Sequence, residues 1–169
     1  MKCKSILIVG IILLFSNKAF TQDTIYWRPD YRLEWKDFKG KIDATKKYGA
    51  LSYTGILYKA SYGINGLTFK VVSYFNRKES WVKLRSNIGL KHEQGHFNIT
   101  ELFTRKLTQT LENFVVNPST ATQDLKAIYL KIYNEKNKMQ SLYDKETDFS
   151  RNIQMQEFWD KKIQQELKN

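Results

Sequence analysis

One stretch of the chain, from Leu90 to Val116, repeats apolar side chains at intervals of three and four residues. This spacing places them on one face of a helix, and no proline interrupts the stretch before Pro118. The sequence therefore predicts a long buried helix. Gly95 costs about 1 kcal/mol of helix propensity relative to alanine, which indicates either close packing by a strand or second helix, or a tolerated mid-helix glycine. The apolar positions are Phe97, Ile99, Leu102, Phe103, Leu107, Leu111, Phe114 and Val115.

Both histidines of the chain lie in this predicted helix, in the run His92-Glu93-Gln94-Gly95-His96. Residues i and i+4 share one face of a helix, so both imidazoles can reach one zinc ion at roughly 2.0 to 2.1 Å. Glu93 is rotated by about 100° from His92, which leaves it beside the ion and not on it. This is the H-E-x-x-H pattern of helical zinc hydrolase sites. It predicts His92 and His96 as Zn²⁺ ligands and Glu93 as general base and then general acid.

A catalytic zinc normally has three protein ligands, and the sequence holds no third histidine. The remaining ligand is therefore expected to be a carboxylate or a weaker donor. Glu101 is the nearest acid, but it lies about 180° around the helix from His92. Better candidates end the second predicted helix: Asp144, Glu146 and Asp148. Tyr143 beside them is a candidate catalytic donor to the oxyanion. The same acids would equally suit a charged helix end that is exposed to water.

The rest of the pattern predicts a small antiparallel sheet followed by helices. Two segments rich in β-branched and aromatic residues, 53–62 and 67–75, flank an Asn-Gly pair that is typical of a hairpin turn. Further helices are predicted from 124 to about 143 and from about 151 to 167. The predicted class is α+β, a single zincin-like domain over residues 23–169 with the H-E-x-x-H pattern on a long central helix. In such an arrangement an edge strand beside the helix pairs with an extended peptide.

The first 22 residues have the composition of a signal peptide. Lys2 and Lys4 precede an apolar run from Ser5 to Phe15, and small residues follow near Thr21. The sequence therefore predicts an exported protein, periplasmic or secreted, with residues 1–22 removed. The run is shorter than the ~20 apolar residues of a membrane span, so no stable span is expected after cleavage, although an uncleaved anchor is an alternative. The mature part has no cysteine, which excludes disulfides and a thiolate zinc site.

The charge of the chain is strongly positive. The formal net charge of +11 falls to +8 once Lys2, Lys4 and Lys18 leave with the signal peptide. The remaining lysines are spread along the chain, which favours solvated faces over one anion-binding patch. Nucleic acid is not an expected partner, because an exported chain without a recognisable binding motif has no basis for it.

Several motifs together resemble one bacterial family. They are L-x-W-x-D-F-x-G at 33–40, A-x-S-x-x-G-I at 50–56, K-H-E-Q-G-H-F at 91–97, and Y-D-x-E-T from Tyr143, followed by R-N and Q-x-x-W. Over nearly the whole mature chain, the sequence resembles the domain of unknown function numbered nine hundred and twenty-two, often labelled predicted secreted zinc-dependent proteases. The resemblance implies an exported metallohydrolase in which His92 and His96 bind the metal and Glu93 is catalytic.

The chain departs from this family at one position. After Y-D-x-E-T, family members tend to read T-x-H-G or T-x-H-S, whereas this chain reads Thr147-Asp148-Phe149-Ser150. If that histidine is the third ligand in the family, Phe149 has replaced it here. The resemblance then implies that one of the nearby acids substitutes, or that the metal is held weakly and activity is reduced.

The leading hypothesis is therefore an exported zinc-dependent metallohydrolase, a peptidase or amidase that acts on a peptide or cell-envelope substrate. The alternative is a non-catalytic envelope binding protein with a vestigial or structural metal site. Its motivation is Phe149 and the open question of the third ligand. A peptidoglycan amidase is a third interpretation, suggested by export and the basic surface. A further alternative is that both histidines are ordinary helix-surface residues and Glu93 an exposed charge, with no metal bound.

Overall fold

The computed structural model describes residues 23–64 and 66–168, so the predicted signal peptide lies outside them. Strands come first and helices follow, which confirms the α+β class. The strands are β1 (Thr24–Tyr26), β2 (Ala50–Leu51), β3 (Thr54–Gly63), β4 (Gly66–Asn76) and β5 (Trp81–Val82). The helices are α1 (Asn87–Glu112), α2 (Ala121–Thr147) and α3 (Ile153–Lys168). Over the described ranges, no helix combines the length and the apolar character that crossing a membrane requires.

The strands of the described part form two antiparallel sheets, one in the order β1-β4-β3 and one from β2 and β5. The predicted hairpin is formed by β3 and β4, with Gly63 opposite Gly66 at the turn and Thr54 opposite Phe75 at the other end. Gly66 has a φ of 79°, a left-handed conformation that suits glycine because it has no Cβ. Since β4 is the central strand, the outer edge of β3 has no strand partner within the described residues.

Helix α1 carries the H-E-x-x-H run close to its N-terminus. The Ser86 hydroxyl caps the helix by accepting a hydrogen bond from the Gly89 amide at 3.0 Å. Helix α2 is longer than the sequence predicts: the pattern indicates an end near Tyr143, but the helix continues to Thr147, where Asp148 ends it in a left-handed conformation. The acid cluster therefore lies mostly on a regular helix and not in a loop.

Helix α1 contributes a residue to each of three buried clusters. Phe97 belongs to a cluster that joins the N-terminal segment to β4, and Ile99 to one that includes residues of α2 and α3. Leu107 packs in the third, which joins the hairpin to α2. All three side chains are at most 1% exposed, so truncating one would cost about 2–5 kcal/mol. The helix that holds both histidines is thus fixed from several directions.

The N-terminal W-x-D-F motif has a structural role. The carboxylate of Asp37, 1% exposed, accepts hydrogen bonds from the Tyr31 hydroxyl at 2.9 Å and from the Glu34 amide at 2.9 Å. It also pairs with the Arg77 guanidinium at 2.7 Å. Because each oxygen of this buried carboxylate is hydrogen-bonded, the motif fastens the N-terminal segment to the end of β4.

Candidate metal centre

Two helices bring three candidate ligand atoms together. The Nε2 atoms of His92 and His96 on α1 are 3.1 Å apart. The Oδ1 atom of Asp144 on α2 lies 3.1 Å from the first and 2.9 Å from the second. Zinc ligands at about 2.0 to 2.1 Å in a tetrahedral arrangement are roughly 3.3 Å from one another, so this triangle matches the spacing that zinc requires. The structure thus forms a possible His-His-Asp metal site.

A glutamine amide fixes the ring of His92. Its Nδ1 is 3.0 Å from Oε1 of Gln156. The amide is oriented because its Nε2 donates to the Tyr143 hydroxyl at 2.7 Å and to the Asp160 carboxylate at 2.8 Å. Oε1 can only accept, so Nδ1 of His92 carries the hydrogen and its Nε2 presents a lone pair. This is the tautomer that a metal-binding histidine needs.

A second glutamine does the same for His96. Its Nδ1 bonds to Oε1 of Gln140, on α2. The Nε2 of that amide donates to the His96 carbonyl at 2.9 Å and to the Thr100 hydroxyl at 3.1 Å, which fixes which end faces the ring. Both histidines therefore direct a bare Nε2 at the same point that the Asp144 oxygen faces. Three acceptor atoms that converge in this way repel one another unless a cation or a proton lies between them.

In the protein alone, a proton takes that place. Burial lowers the pKa of His96, but the hydrogen bond and the charge of Asp144 outweigh burial and raise the pKa to about 9. Burial likewise raises the pKa of Asp144, while the close contacts of its carboxylate with His92 and His96 bring it well below the usual range of an aspartate. The site therefore stabilises positive charge at its centre, which is what cation binding requires.

Glu93 lies beside this centre. Its side chain is 4% exposed, and its Oε2 atom has no hydrogen-bond partner among the described residues. The charge of Glu93 contributes to raising the pKa values of His96 and Tyr143, which shows that the carboxylate is close to both. A buried carboxylate oxygen without a hydrogen-bond partner is energetically costly. Beside three converging ligand atoms, this oxygen is placed to accept a hydrogen bond from a donor such as water.

Tyr143 occupies a different place from the one its predicted role needs. Its ring stacks on His92, with centroids 4.5 Å apart, and meets His96 edge-on at 5.1 Å. The hydroxyl donates to the His92 carbonyl at 3.2 Å and accepts from Gln156. The residue is fully buried, and burial raises the pKa of its hydroxyl far above the ordinary value. The structure thus makes Tyr143 a support for the two imidazoles, with its hydroxyl engaged by the backbone.

The packing of Tyr143 also explains Gly95. A Cβ atom built on Gly95 would lie 2.2 Å from the Tyr143 hydroxyl oxygen, which no real side chain tolerates. The second helix therefore approaches α1 closely at this glycine, one of the two explanations that the sequence offered. Gly95 lets α2 come near enough for Asp144 to reach the histidines.

The other predicted ligands are not brought into this cluster. The Glu146 carboxylate accepts a hydrogen bond from the Trp159 indole at 2.7 Å, on another face of α2. Asp148 is exposed and pairs with Arg151 at 2.6 Å. Phe149, where the family tends to have histidine, stacks on the ring of Tyr48 at 5.6 Å. Among the three acids, Asp144 is therefore the one that the fold places against both histidines.

Sequence reasoning missed Gln140, Gln156 and Tyr48. Gln140 lies four residues before Asp144, so helical spacing places the two on one face of α2, a signal that was available. Gln156 bonds to a histidine 64 positions away, a distance that no local pattern reveals. Tyr48 comes from a segment without regular secondary structure, and its neighbours in space are far apart in the sequence.

Comparison with known proteins identifies a family and nothing further. A family described as "Bacterial protein of unknown function (DUF922)" matches residues 68–151. No curated protein and no solved structure matches the chain. The matched range runs from β4 to the turn after α2 and includes His92, Glu93, His96 and Asp144.

Proposed function

This chain belongs to the bacterial DUF922 family, and we propose that it is an exported zinc-dependent hydrolase that cleaves peptide bonds. His92, His96 and Asp144 hold the metal, and Glu93 is the catalytic acid and base. One observation carries the proposal: three ligand atoms converge within about 3 Å of one another next to a buried carboxylate oxygen that has no hydrogen-bond partner in the described part of the chain. A purely structural cluster would pair these groups with donors.

The ligand set favours zinc in a catalytic role. Two histidine nitrogens and one carboxylate oxygen form the three-ligand set of many zinc hydrolases, which leaves a coordination position for water or substrate. When bound, zinc polarises the scissile carbonyl and lowers the pKa of the attacking water. The glutamines behind both rings are the kind of outer partners that orient metal-binding histidines.

Glu93 and the two glutamines then have different roles in the proposed reaction. Glu93 takes the proton of the attacking water, because its Oε2 atom is a buried acceptor without a hydrogen-bond partner among the described residues. It later gives the proton to the leaving nitrogen. Gln140 and Gln156 keep the imidazoles in one tautomer and one orientation throughout. The backbone carbonyl of Glu93 accepts from the Ser52 hydroxyl at 3.4 Å, which ties the strand region to the catalytic turn of α1.

The free edge of β3 is an argument for a peptide as the substrate. The Thr54 hydroxyl, at the start of β3, bonds to the Thr100 hydroxyl of α1 at 2.7 Å. This contact and the Ser52 contact hold the beginning of the strand against the helix that carries Glu93. The outer edge of β3 has no strand partner in the described part of the chain, so its amides and carbonyls are available to an extended segment. A peptide, or a cell-envelope polymer that carries peptides, could pair with this edge through backbone hydrogen bonds.

Glu93→Gln tests the proposed base. The measurements are zinc content, by elemental analysis of protein purified without added metal, and hydrolysis of labelled unfolded casein. Glu93→Gln should retain stoichiometric zinc and lose about 10²- to 10⁴-fold in turnover, because the amide cannot accept the proton. Glu112→Gln, the same change at an exposed position on α1, is the matched control and should behave as wild type. Hydrolysis by Glu93→Gln at the wild-type rate would refute the assigned base, and a wild-type protein without zinc would refute the metal site.

Export belongs to the same proposal and is tested separately. It rests on the pattern of residues 1–22. Cell fractionation with N-terminal sequencing of the mature protein should find the chain outside the cytoplasm, beginning near residue 22 or 23. A full-length cytoplasmic chain would contradict it.

The alternative is a binding protein with a vestigial or structural site, motivated by Phe149 and by the open identity of the third ligand. The carboxylate of Asp144 lies in reach of both histidines and could take that role, which favours the hydrolase over this alternative.

A further inference from the structure

Tyr48 lies in a stack of aromatic rings next to the candidate metal centre. Its ring stacks on Trp81, with centroids 5.7 Å apart and planes at 13°. It also stacks on Phe149, at 5.6 Å and 16°. Trp81 is 5% exposed, so the stack is anchored in the interior. Two aromatic neighbours thus hold the ring of Tyr48, and its position is defined although it lies outside regular secondary structure.

The turn after α2 places the outer ring of this stack. Asp148, Phe149 and Ser150 all have left-handed backbones, with φ of 48°, 51° and 72°. Residues with a Cβ seldom adopt this conformation, so side-chain contacts must maintain it. Two are present: Phe149 packs between Tyr48 and the Arg151 guanidinium, and Arg151 pairs with Asp148. The Phe149 amide also donates to the Asp144 carbonyl at 3.0 Å, so the stack is linked directly to a metal ligand.

The hydroxyl of Tyr48 is available and remains protonated. It is half-buried, and within the described residues it makes no hydrogen bond. Burial raises its pKa above the ordinary 10, and the negative charges of Asp144, Asp43 and Glu93 raise it further. Two of these three carboxylates are the metal ligand and the proposed base. The ring of Tyr48 stacks on Phe149, whose amide bonds to the Asp144 carbonyl, and the influence of the two carboxylates agrees with this place beside the site. The raised pKa keeps the hydroxyl a hydrogen-bond donor.

We propose that Tyr48 is a catalytic residue that donates a hydrogen bond to the oxyanion formed at the metal centre, the role that the sequence assigned to Tyr143. This inference rests on the proposed function. In the reaction, water adds to the carbonyl carbon, its proton passes to Glu93, and the carbonyl π electrons become the charge on oxygen. The Tyr48 hydroxyl stabilises that charge without giving up its proton. When the C–N bond breaks, Glu93 returns the proton to the nitrogen.

Two features of the structure favour Tyr48 over Tyr143 in this role. The Tyr143 hydroxyl already donates to the His92 carbonyl and accepts from Gln156, and the residue is fully buried. The Tyr48 hydroxyl has neither commitment. A donor that is positioned before the reaction and has no partner in the ground state is what transition-state stabilisation requires, because its interaction strengthens only as charge develops.

The experiment uses Tyr48→Phe, which keeps the ring and the stack and removes only the hydroxyl. Methylphosphonate, a tetrahedral anion, is titrated into the zinc-loaded mature protein by calorimetry. Tyr48→Phe should bind it about 10- to 100-fold more weakly than wild type, with zinc affinity and thermal unfolding unchanged. Tyr62→Phe, the same change at an exposed position near the hairpin turn, is the matched control and should bind like wild type.

The readouts separate this inference from the proposed function. Equal methylphosphonate affinity in Tyr48→Phe and wild type would overturn the role of Tyr48, whatever the casein assay shows. In the casein assay, kcat of Tyr48→Phe should fall about 10- to 100-fold while KM stays within about twofold, since the hydrogen bond forms only as charge develops. A rise in KM with unchanged kcat would assign Tyr48 to ground-state binding and refute the proposal. Failure of the proposed function is read from zinc content and from Glu93→Gln instead.

Discussion

Replacing Gly95 with alanine should destabilise the protein, although alanine is the better helix former. The added Cβ would lie 2.2 Å from the Tyr143 hydroxyl oxygen and 2.7 Å from its Cζ. Tyr143 is fully buried and its ring stacks on His92, so it has no empty space to move into. The substitution must therefore push α2 away from α1, or turn the ring of Tyr143.

The magnitude follows from opposing contributions. Alanine adds about 1 kcal/mol of helix propensity. Overpacking a filled site costs typically ~1–3 kcal/mol. The hydroxyl also loses its hydrogen bonds with the His92 carbonyl and Gln156, worth about 1 kcal/mol each. The expected result is a net loss of about 2–4 kcal/mol in the free energy of unfolding. Zinc affinity should fall as well, since Asp144 follows Tyr143 on the displaced helix.

Urea unfolding of the metal-free protein measures the first effect, and competition with a chromophoric chelator measures the second. The double variant Gly95→Ala, Tyr143→Phe is the control, because it removes the oxygen that makes the shortest contact. Its destabilisation should be smaller than the sum of the two single changes. A Gly95→Ala protein about 1 kcal/mol more stable than wild type would show that the helices do not approach as described.

Two further outcomes follow from the groups around the metal ligands. Gln156→Leu leaves Nδ1 of His92 without its acceptor and should lower zinc affinity about 10- to 100-fold. Gln154→Leu, at an exposed position on the same helix, is the control. Equal zinc affinity in the two variants would show that the Gln156 amide does not orient His92. The raised pKa of His96, about 9, stabilises the metal-free protein fully below pH ~6.5, and this contribution is lost as the pH rises to about 9. The free energy of unfolding of the metal-free protein, measured by thermal unfolding, should therefore fall by on the order of 3 kcal/mol across that window. Zinc displaces the proton and should remove this pH dependence. A metal-free protein with constant stability from pH 6 to 9 would contradict the His96–Asp144 pairing.

The fold was predictable where the sequence pattern is local. The apolar repeat of α1 and the Asn-Gly pair of the hairpin both act within a few residues, and the hairpin forms within one residue of its predicted bounds. The predicted end of α1 at Val116 is wrong: the helix ends at Glu112, and Val115, predicted on its buried face, is exposed beyond it. The predicted end of α2 is one turn too early, because Asp144, Glu146 and Asp148 resemble a solvated helix end. The left-handed backbone of Asp148 ends the helix instead.

The candidate site was predictable only in part, for the same reason. The positions of His92, Glu93 and His96 on one helix follow from their spacing. The choice of Asp144 over Glu146 depends on the rotation of α2 against α1, which Gly95 and Tyr143 determine through a contact 48 positions apart in the chain. Tyr143 was predicted as the oxyanion donor from its place in the sequence beside the acids. In the fold its ring is buried, and its hydroxyl donates to the His92 carbonyl instead.

The meeting of α1 and α2 at His92 and Asp144 has a consequence for the stability of the protein. After residue 22 the chain contains no cysteine, so no disulfide can cross-link this part of it. With zinc bound as proposed, the ion joins residues 52 positions apart and stabilises the folded chain, because the site that binds it exists only in the folded state. Removal of zinc would then abolish the proposed activity and lower the stability of the protein together, and adding the metal back would restore both properties.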